Sequence, residues 1–228
     1  MSQPKKYIRR FYTPYEVAAH CSADDCWVSF LGRVFDITPV IKKHQGVLTA
    51  PLLANAGKDI SDWFDSRTGD IKRHICPISN MDRPYTPMGR FVHIPPLEPM
   101  GNWDTSFGLP WWRDNSFFLG CLSQKTRIIR IKNVLTEQED IIEVPAEETL
   151  AEIRERYLAL NWHAYSYTWR AIVQKPEGDK DFEDLDMNKT LEQNGVPNES
   201  DMFEDLNMAV EDYIPVLHVY WNDDLTLA

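Results

Sequence analysis

Trp27-Val28-Ser29-Phe30-Leu31, then Gly32-Arg33, then Val34-Phe35-Asp36-Ile37 is the stretch that decides the N-terminal fold. Two short runs rich in β-branched and aromatic residues flank a glycine-containing turn, which predicts a β-hairpin. Upstream, Thr13-Pro14 followed by Tyr15 to His20 reads as a cap, a proline at the first helical position and a short helix. Downstream, Pro39 to His44, Ala50 to Ala56, and Ile60 to Phe64 after the Gly57-Lys58-Asp59 turn read as further helical fragments. Short helices around a small sheet bury little between themselves. The segment 11–78 is expected to be an α+β domain.

The next segment, 79–124, is expected to connect two domains. Seven of the 15 prolines fall between Pro77 and Pro110, which precludes long helices and central strands there. Phe91, Trp103, Phe107, Trp111, Trp112, Phe117 and Phe118 lie in the same segment, and a flexible linker has no physical use for so many large rings. The expectation is an ordered strap packed across both flanking domains, with an exposed partner-binding surface as the alternative. In the last segment, 125–228, Arg127 to Ile131 and Ile141 to Val144 read as a hairpin. Thr149-Leu150-Ala151-Glu152 matches a helix capping box, Tyr165 to Ile172 reads as a third strand and Val216 to Trp221 as a last one. This too is an α+β pattern, with the helix covering one face of the sheet.

Composition narrows the function classes. The 8 Trp, 9 Tyr and 10 Phe among 228 residues exclude wholesale disorder. No apolar run reaches the roughly 20 residues that span a bilayer, and Met1 to Phe11 lacks the apolar stretch of a secretion signal, so an intracellular protein without a membrane segment is expected. Of the net charge of -11, essentially all resides between Glu177 and Asp212, where 13 acidic residues face Lys180 and Lys189. That field repels phosphate backbones, so no nucleic-acid partner is expected. Cys21, Cys26, Cys76 and Cys121 lack metal-finger spacing and are expected as reduced thiols. Walker loops, His-Glu-x-x-His and Gly-x-Ser-x-Gly are absent, so no enzyme is expected and no catalytic residue is named.

Six histidines remain as candidate ligands: His20, His44, His74, His93, His163 and His218. His44 is followed by apolar Val47, Leu48, Leu52, Leu53, Ile60 and Phe64, a wall suited to a flat apolar cofactor with a metal at its centre. His20, His93 and His218 read as structural residues, His93 in an extended segment between Val92 and Ile94. Tyr12 to His20, Asp24 to Val28, Gly32 to Thr38, His44, Gly46 and Ala56 to Ile60 together resemble a cytochrome b5-like haem-binding domain. In that family the first axial ligand lies in a His-Pro-Gly-Gly motif, matched here by His44-Gln45-Gly46-Val47, with the proline and second glycine replaced. The family's second ligand follows a glycine and falls on Thr68-Gly69, where no histidine stands. The nearest is His74, reachable through a shifted loop over Ser66 to Arg73.

The resemblance implies haem b, its iron held by His44 and His74, with Leu52, Leu53, Ile60 and Phe64 as cofactor-binding wall. Attachment through one histidine, and a b5-like fold that has lost haem, stay open beside it. Cys76, two residues after His74, is a further candidate ligand or redox-sensitive thiol.

From strand, turn, strand and Thr-capped helix to Lys189-Thr190-Leu191-Glu192-Gln193-Asn194-Gly195-Val196 and a last strand, the C-terminal segment resembles the ubiquitin-like β-grasp fold with an acidic insertion. The chain ends Asp224-Leu225-Thr226-Leu227-Ala228 without a Gly-Gly pair, so ubiquitin-type conjugation is not implied. A b5-like domain, an aromatic strap and a ubiquitin-like domain in this order resemble a family associated with ciliary axonemes. That resemblance implies a structural or regulatory component in the cytoplasm and cytoskeleton, in the axoneme of the cilium, with radial-spoke proteins as partners and haem-linked redox control of beating. A soluble b5-like electron carrier is the alternative.

Overall fold

Thr13 and Thr149 start their helices in the same way. Each hydroxyl accepts the backbone N–H three residues on, and the glutamate at that position, Glu16 or Glu152, reaches back to the threonine N–H. Both capping boxes satisfy two backbone donors that a helix start leaves free. The computed structural model describes residues 10–77, 79–101, 103–175, 178–209 and 213–222. Tyr12–Leu122 form one compact unit; the described residues from Ser123 onward, with Arg10 and Phe11, form the other.

β1 (Phe11–Tyr12) ends in the first residue of the N-terminal unit and leads into α1 (Pro14–Ala19), and the hairpin appears as β2 (Trp27–Phe30) and β3 (Arg33–Asp36). α2 (Thr38–Lys43) and α3 (Ala50–Leu53) follow. The helix expected over Ile60 to Phe64 is only a 3-10 turn at Ser61–Trp63. Its backbone is held elsewhere: Ser29 N–H donates to Lys58 O and Ile60 N–H to Ser29 O, laying this segment alongside β2. The Asp59 carboxylate then accepts from the Ser29 hydroxyl and the Ser61 N–H. A small hairpin, β4 (Arg73–Ile75) against β5 (Asp82–Pro84), comes next.

The segment expected as a connector belongs, as far as Leu122, to this first unit. Its last part is β6 (Phe118–Leu122), which pairs antiparallel with β3 and completes a sheet of order β1-β6-β3-β2. Between β5 and β6, Phe91, Val92, Ile94, Trp111 and Trp112 are buried in the same core as Phe30, Phe35, Leu52, Ile60, Trp63 and Phe64. Phe30 stacks on Phe64 with ring centroids 4.1 Å apart, and Trp111 meets both edge-on at 5.9 and 6.4 Å. Phe91 packs on Trp63 at 5.2 Å and on Trp112 at 6.1 Å. The Trp112 indole N–H is satisfied by Asp70 Oδ1 at 2.8 Å, and Asp70 Oδ2 pairs with Arg113.

The C-terminal unit is built on β7 (Thr126–Asn133) and β8 (Glu139–Pro145), followed by α4 (Leu150–Tyr157). β9 (Tyr167–Gln174) pairs with β10 (Lys180–Asp184); α5 (Ser200–Asp205) precedes β11 (Val216–Trp221). The sheet order is β10-β9-β11-β7-β8, with β11 parallel to β7 and antiparallel to β9. The last strand therefore sits in the middle, so the sheet is complete only once the whole segment is folded. Leu150, Ile153 and Tyr157 of α4 are buried against Ile129, Ile131, Trp169, Leu217 and Val219. Gly195, with φ +80°, lies where a Cβ would stand 2.9 Å from Gln174 O, so only glycine fits this turn without displacement. The chain end 224–228 and part of the acidic stretch lie outside the described residues.

Trp111 is fully buried, whereas Trp103 of the same segment is 38% exposed. Trp111→Ala is expected to lower the unfolding free energy by about 3–5 kcal/mol, as loss of a buried large aromatic does. Trp103→Ala should cost well under half of that. Urea unfolding followed by circular dichroism measures both, and equal effects would contradict the placement of Trp111 in the core.

Candidate functional site

His44 ends α2, its backbone N–H donating to Val40 O. The imidazole is half-buried, and its pKa is lowered by burial and by Lys43, with Asp104 opposing. The ring it meets is not His74. It is His93, whose ring lies edge-on at a centroid distance of 5.4 Å.

His93 occupies a tight turn in which Ile94 N–H donates to Phe91 O. Its φ is +70°, a conformation that non-glycine residues adopt at a cost in energy, although histidine is among those enriched there. The extended backbone expected around Val92 and Ile94 is thus a turn, because both neighbours are drawn inward to the core. Two contacts fix the ring. Phe107 stacks on it at 4.0 Å, and the backbone N–H of Trp111 donates to Nδ1 at 3.0 Å. An Nδ1 that accepts carries no proton, so in the neutral ring the proton is on Nε2. That Nε2 is buried without a hydrogen-bond partner. Burial, His44 and Lys43 together depress the His93 pKa to about 4, with Asp104 opposing.

The other predicted residues divide. Leu52, Ile60 and Phe64 are fully buried and Leu53 partly so, all in the core shared with Phe91, Trp111 and Trp112. They form an apolar wall, as expected, but the chain's own rings cover it. An open groove of about 620 Å³ runs between Val47–Ala54 and Met88–Arg90. Neither His44, His74, Leu52, Leu53, Ile60 nor Phe64 lines it. His74 lies on exposed β4, opposite Arg83 and edge-on to Tyr85 at 6.1 Å. The reason is local: Asp65 to Asp70 closes a turn, Lys72 N–H bonds Trp63 O and Tyr85 N–H bonds Lys72 O, so the chain leaves the core as a surface hairpin before reaching His74. Cys76 follows at the end of that hairpin, its N–H donating to Met81 O.

His20 stacks on Trp27 at 3.5 Å and bonds Asp25 at 2.6 Å. His218 packs edge-on to Phe182 in the C-terminal sheet. Sequence reasoning missed His93 as the neighbour of His44. Its only signal was a histidine set between two apolar residues just before Pro95-Pro96.

Comparison with known sequences adds the family. The sequence model described as "Cytochrome b5-like Heme/Steroid binding domain" matches residues 13–76. "Cytochrome b5 domain-containing protein 1" of Xenopus laevis is 50% identical over 218 residues, covering 95% of this chain and 96% of the relative. The Homo sapiens protein of the same description is 47% identical over 96% of this chain and 93% of its own length. This chain belongs to the cytochrome b5 domain-containing protein 1 family. "Cytochrome b5" of Oryza sativa subsp. japonica is 32% identical over 42% of this chain and 72% of that one. The N-terminal unit is therefore a b5-like haem- or steroid-binding domain, and the family implies haem.

Whether these residues suit a haem gripped from both faces is decided by donor chemistry. Such a grip needs two imidazole lone pairs aimed at one iron, and a ligating histidine ordinarily donates its other N–H to an acceptor. His44, held neutral, has a lone pair to offer. His93 faces a donor at Nδ1, which puts its proton on Nε2, the reverse of what ligation through Nε2 requires. His74 stands on the surface hairpin. The described residues do not fit a haem clamped between two imidazoles.

Two outcomes follow. Haem titrated into the purified protein is expected to give the same absorption spectrum with His74→Ala as with the native chain; loss of low-spin bands in that variant alone would restore the predicted pair. The second concerns pH. The folded-state pKa of His93 lies below the unfolded value of roughly 6.5, so its neutral form favours folding above that value and this contribution is lost as pH falls toward 4. Unfolding free energy measured in urea between pH 7 and 4 should fall less steeply in His93→Asn than in the native chain.

Proposed function

We propose that the chain is a non-enzymatic structural and regulatory component of the ciliary axoneme, placed among radial-spoke proteins. Its b5-like unit acts in this reading as a binding module and not as an electron carrier. The observation that carries the second point is the aromatic strap: Trp111 and Phe91 lie on the wall that includes Phe64, and the imidazole facing His44 has its proton on the wrong nitrogen. An electron carrier keeps its iron between two fixed ligands, and this arrangement supplies one. Similarity that runs along nearly the full length of both this chain and its relatives supports a role for both units together.

The C-terminal unit is in this reading a ubiquitin-like β-grasp module that binds proteins. Its support is the sheet order, with the last strand parallel to the first and inserted beside the third, and a helix across one face. The opposite face exposes Ile128 and Ile172 beside a groove of about 760 Å³. The axonemal placement rests on the resemblance in domain order alone.

Detergent extraction of cilia carrying an epitope-tagged chain tests the placement. The chain should stay with the detergent-resistant axoneme and leave it in high salt together with radial-spoke proteins. Recovery in the detergent-soluble fraction would remove the axonemal assignment.

A further inference from the structure

The corner between α1 and β2 is a miniature hairpin. Ser22 N–H donates to Asp25 O and Asp25 N–H to Ser22 O, closing a two-residue loop over Ala23 and Asp24. One step outward Trp27 N–H donates to His20 O, and Cys21 and Cys26 stand directly opposite each other as an antiparallel bridge. The bonds of this corner run from the residues on either side of the cysteines, which makes the cysteines a non-hydrogen-bonded pair. In such pairs the Cα atoms are about 4.5 Å apart and both side chains point to the same face. That separation falls within the window of about 4.4–6.8 Å that a disulfide spans.

We propose that Cys21 and Cys26 are a redox-active pair, a reversible disulfide site whose oxidant is a low-molecular-weight disulfide such as oxidised glutathione. The reaction divides along the exposure of the two thiols. Cys21 is exposed and Cys26 is fully buried. The Cys21 thiolate attacks one sulfur of glutathione disulfide; the S–S bond breaks, and the departing thiolate takes a proton to leave as the first glutathione. Cys26 then loses its proton to solvent and attacks Cys21 Sγ, forming the protein disulfide and releasing the second glutathione, which is protonated in turn. Two electrons pass from the protein thiols to the oxidant, and two protons end on the two glutathione molecules. Burial, then the charges of Asp36 and Asp25 and the neighbouring Cys21, push the Cys26 thiol up to about 11. This thiol does not compete for oxidant at neutral pH, and Cys21 reacts first.

A disulfide closing so small a loop contributes less chain-entropy stabilisation than one closing a long loop, and a bridge with an exposed sulfur, as at Cys21, is readily reduced. Both properties favour a reversible site over a structural one. Its position also gives it something to act on. Cys26 N–H donates to the Thr38 hydroxyl and Cys26 O accepts from Ile37 N–H, so Cys26 anchors the start of α2, the helix that ends in His44. Room for the pair comes from Gly57, with φ +75°, where any Cβ would stand 3.1 Å from Cys21 Cβ. The site needs no haem and stands whether or not the axonemal reading does.

The reduced full-length chain, equilibrated in glutathione buffers of graded oxidation and quenched in acid before alkylation, tests it by intact mass and peptide mapping. The expected product has lost two hydrogens, maps to a Cys21–Cys26 link, forms while Cys76 and Cys121 still alkylate, and reverts on raising reduced glutathione. Cys21→Ser, a surface change, should abolish the link. A persistent glutathione adduct on Cys21, a dimer linked through Cys21, or independent alkylation of both thiols across all buffers would overturn the proposal.

Discussion

The packing of Trp111 and Phe91 against Phe30, Trp63 and Phe64 is the contact on which the N-terminal unit depends. α2 has six residues and α3 four, too few to cover a sheet face with their own side chains. An apolar wall that includes Leu52, Ile60 and Phe64 would otherwise face water, at a cost of about 1.5–3 kcal/mol per large side chain. The strap supplies the missing layer, and β6 pins its far end to the hairpin through pairing with β3. Proline density and ring density in one segment, which look contradictory, are then one design. Prolines keep the chain out of regular structure so that its rings can be set individually.

Much of this was legible in the sequence because it is local. The Trp27–Ile37 hairpin, the Thr13 and Thr149 caps, the β7–β8 hairpin and the last strand all follow from side-chain periodicity and turn chemistry within a few residues. The helix expected over Ile60–Phe64 shortens to a 3-10 turn because Ser29, thirty residues from Asp59, holds the backbone at Lys58 and Ile60. The boundary of the strap differs from its expected place for a similar reason. Nothing within residues 79–124 announces that its apolar positions complete a core begun at Cys26 and Val28, or that Phe118–Leu122 will pair with a strand that ended at Asp36. The apolar half of the candidate site was legible as composition, whereas the partner of His44 depends on tertiary contacts that bring residue 93 back to residue 44.

The C-terminal unit meets the same demand for cover with charge as well as apolar surface. Arg156 and Glu148 form a buried bidentate pair at 2.6 and 2.8 Å, and Arg156 donates further to Phe11 O. Arg127, also buried, donates to the carbonyls of Val196 and Pro197, holding the turn after Gly195. Both guanidiniums are buried charges, and they differ in how far they are compensated: Arg156 is met by the Glu148 carboxylate, whereas Arg127 Nε stays buried without a hydrogen-bond partner. Here they tie the start and the late turns of the segment to its first strand and helix, contacts a short, mostly local sheet would lack.

Core and candidate site in the N-terminal unit are joined by one hydrogen bond, from Trp111 N–H to His93 Nδ1. It makes Nδ1 of the imidazole an acceptor and leaves the ring proton on Nε2, which is buried without a hydrogen-bond partner. Protonation would put a second hydrogen against the Trp111 N–H and add a positive charge beside His44 and Lys43, so the bond and the neutral ring sustain each other. Iron ligation at Nε2 would require the opposite proton placement and therefore the surrender of this bond. Because Trp111 is fully buried and carries the strap, the rings that complete the fold also determine the chemistry left to His93. The b5-like frame is retained in its hairpin, caps and apolar wall, while the histidine chemistry beside that wall is set by a segment outside the part of the chain that the family model matches.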